Sequence, residues 1–276
     1  MSYPLTTWRL LHTPPSRGAW NMAVDEAILE AAGRGEVLPT LRLYAWEPPC
    51  LSLGYAQPSS DVDFDALLRF GWDLVRRPTG GRAILHTDEI TYSVIGPQED
   101  PRLVGSVNES YRILAAALLR TLHILQIPAQ ALEKHTLPAG SDPNGAVCFE
   151  VPSNYEITVN GKKLIGSAQA RRKEGVLQHG SLPLYGELAR ITQVLGFPQE
   201  AGRTEAANRL LARAATAEEI LGTAPSWTQA ARAFKTAFCE TLNLDLQPAE
   251  LTPAELARAA SLVEEKYAHL SWTNRR

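Results

Sequence analysis

The chain has 276 residues, of which 45% are hydrophobic and 21% charged, as is usual for a folded globular protein. A formal net charge of −3 excludes a global attraction to nucleic acid or to an anionic membrane. The sequence contains no run of about 18 apolar residues, so a membrane span is not expected. The N-terminal segment lacks the basic and apolar regions of a signal peptide, so we expect a cytoplasmic protein.

Patterns of strands and helices alternate along the first part of the chain. The apolar residues of 21–31 follow a helical period, with acids at Asp25, Glu26 and Glu30, which predicts an amphipathic helix. A short helix is predicted over 65–69. Strand patterns cover 7–11, 41–46, 50–55, 73–76, 82–85 and 90–95. The strands at 73–76 and 82–85 enclose a Thr-Gly-Gly turn, which we interpret as a hairpin-like binding loop because the Lys-Ser/Thr ending of a P-loop is missing.

The second part begins with the clearest helix, over 108–125, and then returns to strands. Residues 137–144 predict a loop, and Asn160-Gly161 between two alternating runs is a strong hairpin signal that places Lys163 at the start of the second strand. After about residue 186 the chain is expected to be helical. We therefore predict an α+β fold with mainly antiparallel sheets flanked by helices. The chain is either one catalytic domain over 1–276 or a core over 1–190 with a helical part over 191–276.

Cys148 and Lys163 are the residues that point most directly to chemistry. The chain has only three cysteines, and a small, odd number argues against a disulfide framework. Such a number fits a reducing compartment, where a thiol remains free. Cys148 follows the predicted loop and has Lys163 across a strand pair. Thiolate is the reactive form of cysteine, and a neighbouring ammonium lowers the thiol pKa. We interpret Cys148 as a candidate nucleophile, and Cys50 and Cys239 as small buried hydrophobic residues.

Other polar residues in the same segments are candidates for binding a substrate. Lys163 enters the small, mostly apolar run 164–168, which permits close approach of a ligand to the backbone, whereas Lys162 is expected to face solvent. His86 and His179 are further candidates, although a histidine in a strand is more often a hydrogen-bonded structural group. No Cys/His cluster has zinc-site spacing, so we expect neither a metal nor a bound cofactor.

Three segments resemble the catalytic fold of the biotin/lipoate protein ligases. They are RRPTGGR at 76–82 with the strands up to residue 95, Cys-Phe-Glu at 148–150 with KLIGSAQ at 163–169, and Trp-Arg-Leu at 8–10 with NMAVDE at 21–26. The cysteine in its Cys-Phe-Glu context makes the chain similar to the cysteine-dependent octanoyltransferases of the LipM type. The similarity covers almost the whole chain.

The resemblance implies a reaction and roles for individual residues. Enzymes of this family take octanoate from octanoyl-acyl carrier protein and move it through a cysteine acyl-enzyme to one lysine of the glycine cleavage H protein, in lipoate biosynthesis. The nucleophile would be Cys148, and Lys163 would lower its pKa. Related enzymes often carry an acidic residue directly after the histidine, whereas Thr87 and then Asp88 follow His86 here. The residues expected to bind substrate are Arg77, Gly80, Gly81, Arg82, His86, Gly166, Ser167, Ala168 and His179.

The expected partners are acidic proteins. Acyl carrier proteins and lipoyl domains are acidic as families, so a chain with net charge −3 needs a local basic rim, for which Arg171, Arg172 and Lys173 are our hypothesis. We expect a monomer that uses octanoyl-acyl carrier protein as donor and the glycine cleavage H protein or another lipoyl domain as acceptor. No nucleic acid and no membrane is expected as a partner.

Three alternatives remain open at the level of sequence. An ATP-dependent lipoate–protein ligase would use Lys163 to hold an acyl-adenylate and would not need Cys148. An amidotransferase that moves lipoyl or octanoyl groups between lipoyl domains would also use a cysteine but a different donor. A non-catalytic carrier-binding protein would retain the fold alone, and the presence of both Cys148 and Lys163 argues against it.

Overall fold

A computed structural model describes residues 3–133 and 155–275 of the chain. Its strands are β1 (Thr6–His12), β2 (Thr40–Tyr44), β3 (Cys50–Leu53), β4 (Asp73–Arg76), β5 (Ile84–His86), β6 (Glu89–Gly96), β7 (Gln130–Glu133), β8 (Tyr155–Val159), β9 (Lys162–Arg172), β10 (Gly175–Pro183) and β11 (Leu244–Ala249). Its helices are α1 (Gly18–Gly33), α2 (Phe64–Phe70), α3 (Val107–Ile124), α4 (Glu200–Arg213), α5 (Ala217–Leu221), α6 (Trp227–Leu242), α7 (Pro253–Leu262) and α8 (Leu270–Thr273). Short 3-10 helices lie at Ser59–Asp61 and Leu188–Val194, and a π-helical segment lies at Val263–Tyr267.

Two sheets organise these strands. The larger has eight strands in the order β11-β1-β2-β6-β10-β9-β8-β7, and the smaller has three in the order β4-β3-β5. β11, β1 and β2 run parallel to one another, as do β3 and β4, and the other pairs are antiparallel. The predicted α+β class with mainly antiparallel sheets is confirmed.

The larger sheet is covered by helices on both faces. α3 and α6 bury residues such as Leu118 and Phe234 against one face, together with Leu41 and Tyr92 of the sheet. α1 packs on the other face, where Met22 joins a separate apolar cluster. The smaller sheet has a third cluster with α2 and α4. Apolar side chains on both faces explain why the central strands are fully buried.

Local sequence patterns correspond to the places where helices and strands begin or end in the structure. Ser106 and Glu109 form a reciprocal capping box at the start of α3, and Thr252 and Glu255 do the same for α7. Asn160 and Gly161 both have positive φ in the turn between β8 and β9, as the Asn-Gly hairpin signal predicts.

Three expectations about the elements were wrong. β4 and β5 do not form a hairpin around the Gly-Gly turn, because both pair with β3, which lies between them. The chain after residue 186 is not only helical, since β11 adds a parallel strand beside β1. α1 is not amphipathic: Asp25 and Glu26 are buried by partners from distant parts of the chain.

None of the helices described is long and apolar enough to cross a membrane. No group of three or more His, Cys, Asp or Glu side chains with the arrangement of a metal site occurs within residues 3–133 and 155–275.

Candidate active site

A narrow cavity lies between the larger sheet and the smaller one. Its free volume is about 20 Å³, and almost all of its exposed surface is carbon. The lining crosses four neighbouring strands of the larger sheet, from Tyr44 on β2 through Thr91 on β6 and Ser181 on β10 to Gly166 on β9. Three strand spacings amount to about 14 Å, so the lining extends over the length of a short aliphatic chain, although the closed volume holds only about one water molecule.

His86 forms part of one wall and is held on every side. Its Nδ1 lies 2.7 Å from Glu89 Oε1 and its Nε2 lies 2.8 Å from Ser52 Oγ. The indole of Trp46 stacks on its ring at a centroid distance of 4.0 Å. Burial raises the pKa of Glu89, but the His86 charge and the hydrogen bonds from His86, Thr91 and Ser181 outweigh it, so the pKa lies below its ordinary value.

His179 lies on the opposite side of the cavity and belongs to a second buried network. Its Nδ1 lies 3.4 Å from Asp25 Oδ2, and its Nε2 lies 2.7 Å from Thr79 Oγ1 of the Gly-Gly loop. Asp25 also accepts hydrogen bonds from Arg42 at 2.7 Å and from Ser93 at 2.9 Å. Burial lowers the pKa of His179 more than Asp25 raises it, so the imidazole is neutral at pH 7.

Arg77 connects the cavity to the Gly-Gly loop. Its Nη1 donates to Ser52 O at 3.0 Å, and its Nη2 donates to Gly80 O at 2.8 Å and Arg82 O at 2.7 Å. Arg77 lines the cavity, whereas Gly80, Gly81 and Arg82 line an open cleft beside it. The loop thus forms the partition between cavity and cleft.

The residues expected to bind substrate fall into two groups. Those in the cavity wall are Arg77, His86, Gly166, Ser167, Ala168 and His179. Those in the adjacent cleft are Gly80, Gly81 and Arg82. Asp88, the nearest acid after His86 in the sequence, pairs with Arg190, and Glu89 provides the carboxylate for His86 instead.

Lys163 lies near the cavity but not in its wall. It precedes Gly166 by three residues on β9, about 10 Å along the strand. The side chain is 4% exposed, and its Nζ lies 3.6 Å from Glu156 Oε1. Lys162, by contrast, reaches outward to Glu219. Cys148 lies outside the described residues.

The predicted basic rim is partly engaged within the chain. Arg171 donates to Leu103 O at 2.8 Å and to Ser110 Oγ at 3.1 Å, and Arg172 pairs with Glu26 at 3.1 Å. Both arginines line the cleft beside the Gly-Gly loop. Lys173 is exposed at the following turn.

Several residues of the site were missed by sequence reasoning. Trp46, Ser52 and Thr91 line the cavity, and Asp25 and Glu89 orient its histidines. Trp46, Ser52 and Asp25 bond Thr91 or a histidine 34 to 154 positions away in the chain, whereas Glu89 is three positions from His86. The one local signal was Glu89, an acid close enough in the sequence to pair with His86.

Comparison with known proteins identifies the family of the chain. Residues 17–239 match the family model of the lipoyl protein ligase A/B catalytic domain. Curated relatives named octanoyltransferase LipM include one from Kyrpidia tusciae, 42% identical over 99% of this chain and 100% of the relative. Another, from Bacillus subtilis, is 36% identical over 98% of this chain and 99% of the relative.

Solved structures with the same fold are lipoate protein ligases. A bi-partite lipoate protein ligase from Thermoplasma acidophilum superposes with a TM-score of 0.79 at 26% identity, over 98% of this chain and 96% of the other. A lipoate-protein ligase A bound with ATP superposes with a TM-score of 0.78 at 26% identity, over 98% and 99% of the two chains. The chain therefore belongs to the lipoyl protein ligase A/B catalytic domain family and, within it, to the LipM octanoyltransferases, which are acyltransferases of lipoate biosynthesis.

Proposed function

We propose that the chain moves an octanoyl group from octanoyl-acyl carrier protein to Cys148, as a thioester, and from there to a lysine of the glycine cleavage H protein. The observation that carries the proposal is the apolar cavity, whose lining reaches β9, the strand that also carries the buried Lys163. An extended octanoyl group spans about 9 Å from its first to its last carbon, which is within the extent of the lining. Because the free volume is about 20 Å³, the acyl chain enters only when the lining side chains move apart.

The described cysteines support Cys148 as the nucleophile. Cys50 is fully buried, and burial raises its thiol pKa well above the ordinary value, because it disfavours the thiolate. Cys239 packs at the edge of the core between α6 and the larger sheet, away from the cavity. Cys50 therefore lacks access, and Cys239, although Lys235 lies one turn before it on α6, is not part of the cavity.

Two acyl exchanges complete the proposed reaction. The Cys148 thiolate attacks the thioester carbonyl, a new C–S bond forms, and the carrier thiol leaves after taking a proton from Lys163. The acceptor lysine then loses a proton to a base of the site and attacks the acyl-enzyme, which forms the amide and releases the cysteine. The first exchange is nearly isoenergetic and the second is downhill, so neither step requires ATP.

Roles for the described residues follow from their positions. Lys163 would stabilise the thiolate of Cys148 as a buried cation. Arg77, His86, Gly166, Ser167, Ala168 and His179 would hold the acyl chain, and Gly80, Gly81 and Arg82 would contact the donor along the cleft. Octanoyl transfer in general requires an acyl donor and a lipoyl-domain acceptor protein; we propose that this chain engages them as a monomer and a single domain in the cytoplasm.

An ATP-free transfer assay tests the proposal. The purified chain is mixed with octanoyl-acyl carrier protein and the unmodified glycine cleavage H protein, and the acceptor mass is followed. We expect octanoylation by the wild type, none by Cys148→Ala, and wild-type rates for Cys239→Ala as the matched control. Transfer by Cys148→Ala at the wild-type rate would refute the cysteine route, and acceptor labelling only with ATP and free acid would identify a ligase.

A further inference from the structure

We propose that the C-terminal segment of residues 263–275 acts as a clamp that positions the Gly-Gly loop (residues 78–82), with Arg76 and Trp272 as positioning residues for acyl transfer. The inference rests on the proposed use of the cavity as the acyl site. The clamp lies beyond residue 239, where the match to the catalytic-domain family ends. Neither Arg76 nor Trp272 is in the cavity wall.

Arg76 connects the clamp to the turn that supports the loop. Its guanidinium is fully buried and donates from Nε and Nη2 to Thr273 O, at 2.9 and 2.6 Å. Its Nη1 donates to Gly54 O at 2.8 Å and to Gln57 O at 2.5 Å. A buried cation needs its donors satisfied, so the end of the chain and the turn at 54–57 are held together by one side chain.

The same turn carries the Gly-Gly loop directly. A Cβ on Gly54 would lie 1.8 Å from Gly81 O, so the two backbones are in contact, and Tyr55 N donates to Thr79 O at 2.9 Å. Thr79 in turn bonds His179 in the cavity wall at 2.7 Å. A continuous set of contacts therefore joins Thr273 to the cavity.

Trp272 makes a second connection of the clamp to the turn that carries the loop. Its Nε1 donates to Arg76 O at 2.8 Å, and its ring meets Tyr55 edge-on at a centroid distance of 5.9 Å. The guanidinium of Arg275 lies over the rings of Tyr55 and Trp272, at 4.1 and 4.8 Å. These contacts cover the outer side of the turn.

The other end of the clamp is fixed to α1. Glu26 accepts from Lys266 Nζ at 2.6 and 2.8 Å and from the hydroxyl of the buried Tyr267. Glu26 is adjacent in sequence to Asp25, which orients His179. The clamp is thus anchored on the same helix that supports the cavity, and its other end contacts Arg76 and Tyr55 beside the loop.

Displacement of the loop would reach the substrate through Arg77. That side chain lines the cavity and donates to Gly80 O and Arg82 O, so it moves when the loop moves. Misplacement by about 1 Å can cost two orders of magnitude in rate. A weakened clamp should therefore raise the KM for the acyl donor and leave the acceptor KM unchanged.

Trp272→Phe tests the clamp, with Arg120→Gln as the matched control. The first variant removes the bond to Arg76 O and keeps an aromatic ring. The second breaks the link of α3 to Glu240 on α6, at 2.8 Å, and involves no residue of the clamp or the loop. We expect Trp272→Phe to increase hydrogen exchange of the amides of 78–82 about tenfold and the donor KM about fivefold. Arg120→Gln should leave both at the wild-type value.

Each result decides the inference. The positioning role would be overturned if hydrogen exchange of 78–82 is unchanged in Trp272→Phe, or if exchange increases while the donor KM stays the same. Equal effects of the two variants would overturn it as well. Exchange is measured on the protein alone, and an octanoyl adduct on the wild type tests the proposed function separately. A wild type that forms no octanoyl-enzyme would thus refute the reaction without bearing on whether the clamp holds the loop.

Discussion

The two buried histidines of the cavity show how neighbouring groups select one tautomer. Carboxylates only accept hydrogen bonds, so Nδ1 of His86 carries the proton shared with Glu89, and Nδ1 of His179 carries the one shared with Asp25. Nε2 of the neutral His179 then accepts from the Thr79 hydroxyl, and Nε2 of His86 forms a hydrogen bond with the Ser52 hydroxyl. The polar groups of the wall are satisfied by one another, which leaves an apolar surface toward the cavity.

The first prediction concerns the buried lysine. Lys163→Met keeps the length of the side chain and removes its charge, so we expect octanoyl transfer to fall at least about 100-fold because the thiolate loses its cation. Glu156 would lose its ion pair with Lys163, at a cost of about 3 kcal/mol. Single-turnover rates with octanoyl-acyl carrier protein measure the effect.

Two further variants separate chemistry from stability at this position. Lys162→Met changes the neighbouring lysine, which pairs with Glu219 at the surface, and should retain transfer. Lys163→Met combined with Glu156→Gln also removes the carboxylate that has lost its ion pair with Lys163. This double variant should recover stability but not activity. Recovery of transfer in the double variant would show that Lys163 is structural.

A second prediction concerns chain length. Trp46 lies on the β2 side of the cavity, far from Lys163, and is fixed by its hydrogen bond to Thr91 at 2.8 Å. Trp46→Leu opens space at that end. A decanoyl chain has two more methylenes than an octanoyl chain, and burial of each contributes about 0.8 kcal/mol. The variant should therefore raise the ratio of kcat/KM for the decanoyl donor to kcat/KM for the octanoyl donor by about tenfold. Competition between the two acyl donors gives the ratio, and an unchanged ratio would place the closed end of the cavity elsewhere.

At the scale of elements, predictions succeeded where the signal was local. The Asn160-Gly161 hairpin, the period of α3 and the capping box at Thr252 depend on residues a few positions apart, and each corresponds to an element. The pairing of β4 and β5 with β3, and of β11 with β1, depends on partners that no local pattern identifies.

The same limit applies to the candidate site. Motifs identified the strand segments that carry Arg77, His86 and His179, and the structure brings these three into one cavity. The acids that orient the histidines could not be assigned, because Asp25 comes from α1 and its burial is created by the packing of β6 and β10. Which acid completes a buried network is decided by tertiary contacts.

A third prediction follows from the way His179 joins β10, α1 and the Gly-Gly loop. Its folded-state pKa lies below the ordinary 6.5, so the unfolded state takes up the proton first on acidification. Stability from this group is fully present above pH 6.5 and is lost as the pH falls toward the folded pKa. Urea unfolding between pH 7.5 and about pH 5 should show a shallower decline for His179→Gln than for wild type.

The side chain of Gln can still bond Asp25 and Thr79, so this variant removes the titration with little change in contacts. Parallel pH profiles of the two proteins would contradict the assignment, because the decline would then come from other groups.

At the scale of the whole molecule, charge is unevenly arranged. The net charge is −3, yet the cleft beside the Gly-Gly loop is lined by Arg82, Arg171 and Arg172, with Lys173 exposed close by. Arg77, which lines the apolar cavity, donates hydrogen bonds to the same loop. A carrier protein that docks at this cleft would bring its acyl group next to the cavity.

The fourth prediction tests this docking surface. Lys173→Glu should raise the KM for octanoyl-acyl carrier protein by about threefold to tenfold with little change in kcat, because rim charges act on encounter more than on chemistry. Lys235→Glu, on the exposed side of α6, is the matched charge reversal and should have no such effect. The basic rim would not be a docking surface if Lys173→Glu leaves the KM unchanged. The same would hold if the difference in KM between Lys173→Glu and wild type persists at high salt.

The most direct test of the central claim is the intact mass of the protein after incubation with octanoyl-acyl carrier protein in the absence of ATP. We expect a gain of one octanoyl group on the wild type and on Cys239→Ala, removed by hydroxylamine and absent from Cys148→Ala. A wild type that gains no mass, together with an acceptor that is labelled only when ATP and free octanoate or lipoate are supplied, would contradict the acyl-enzyme route and reduce Cys148 to a bystander.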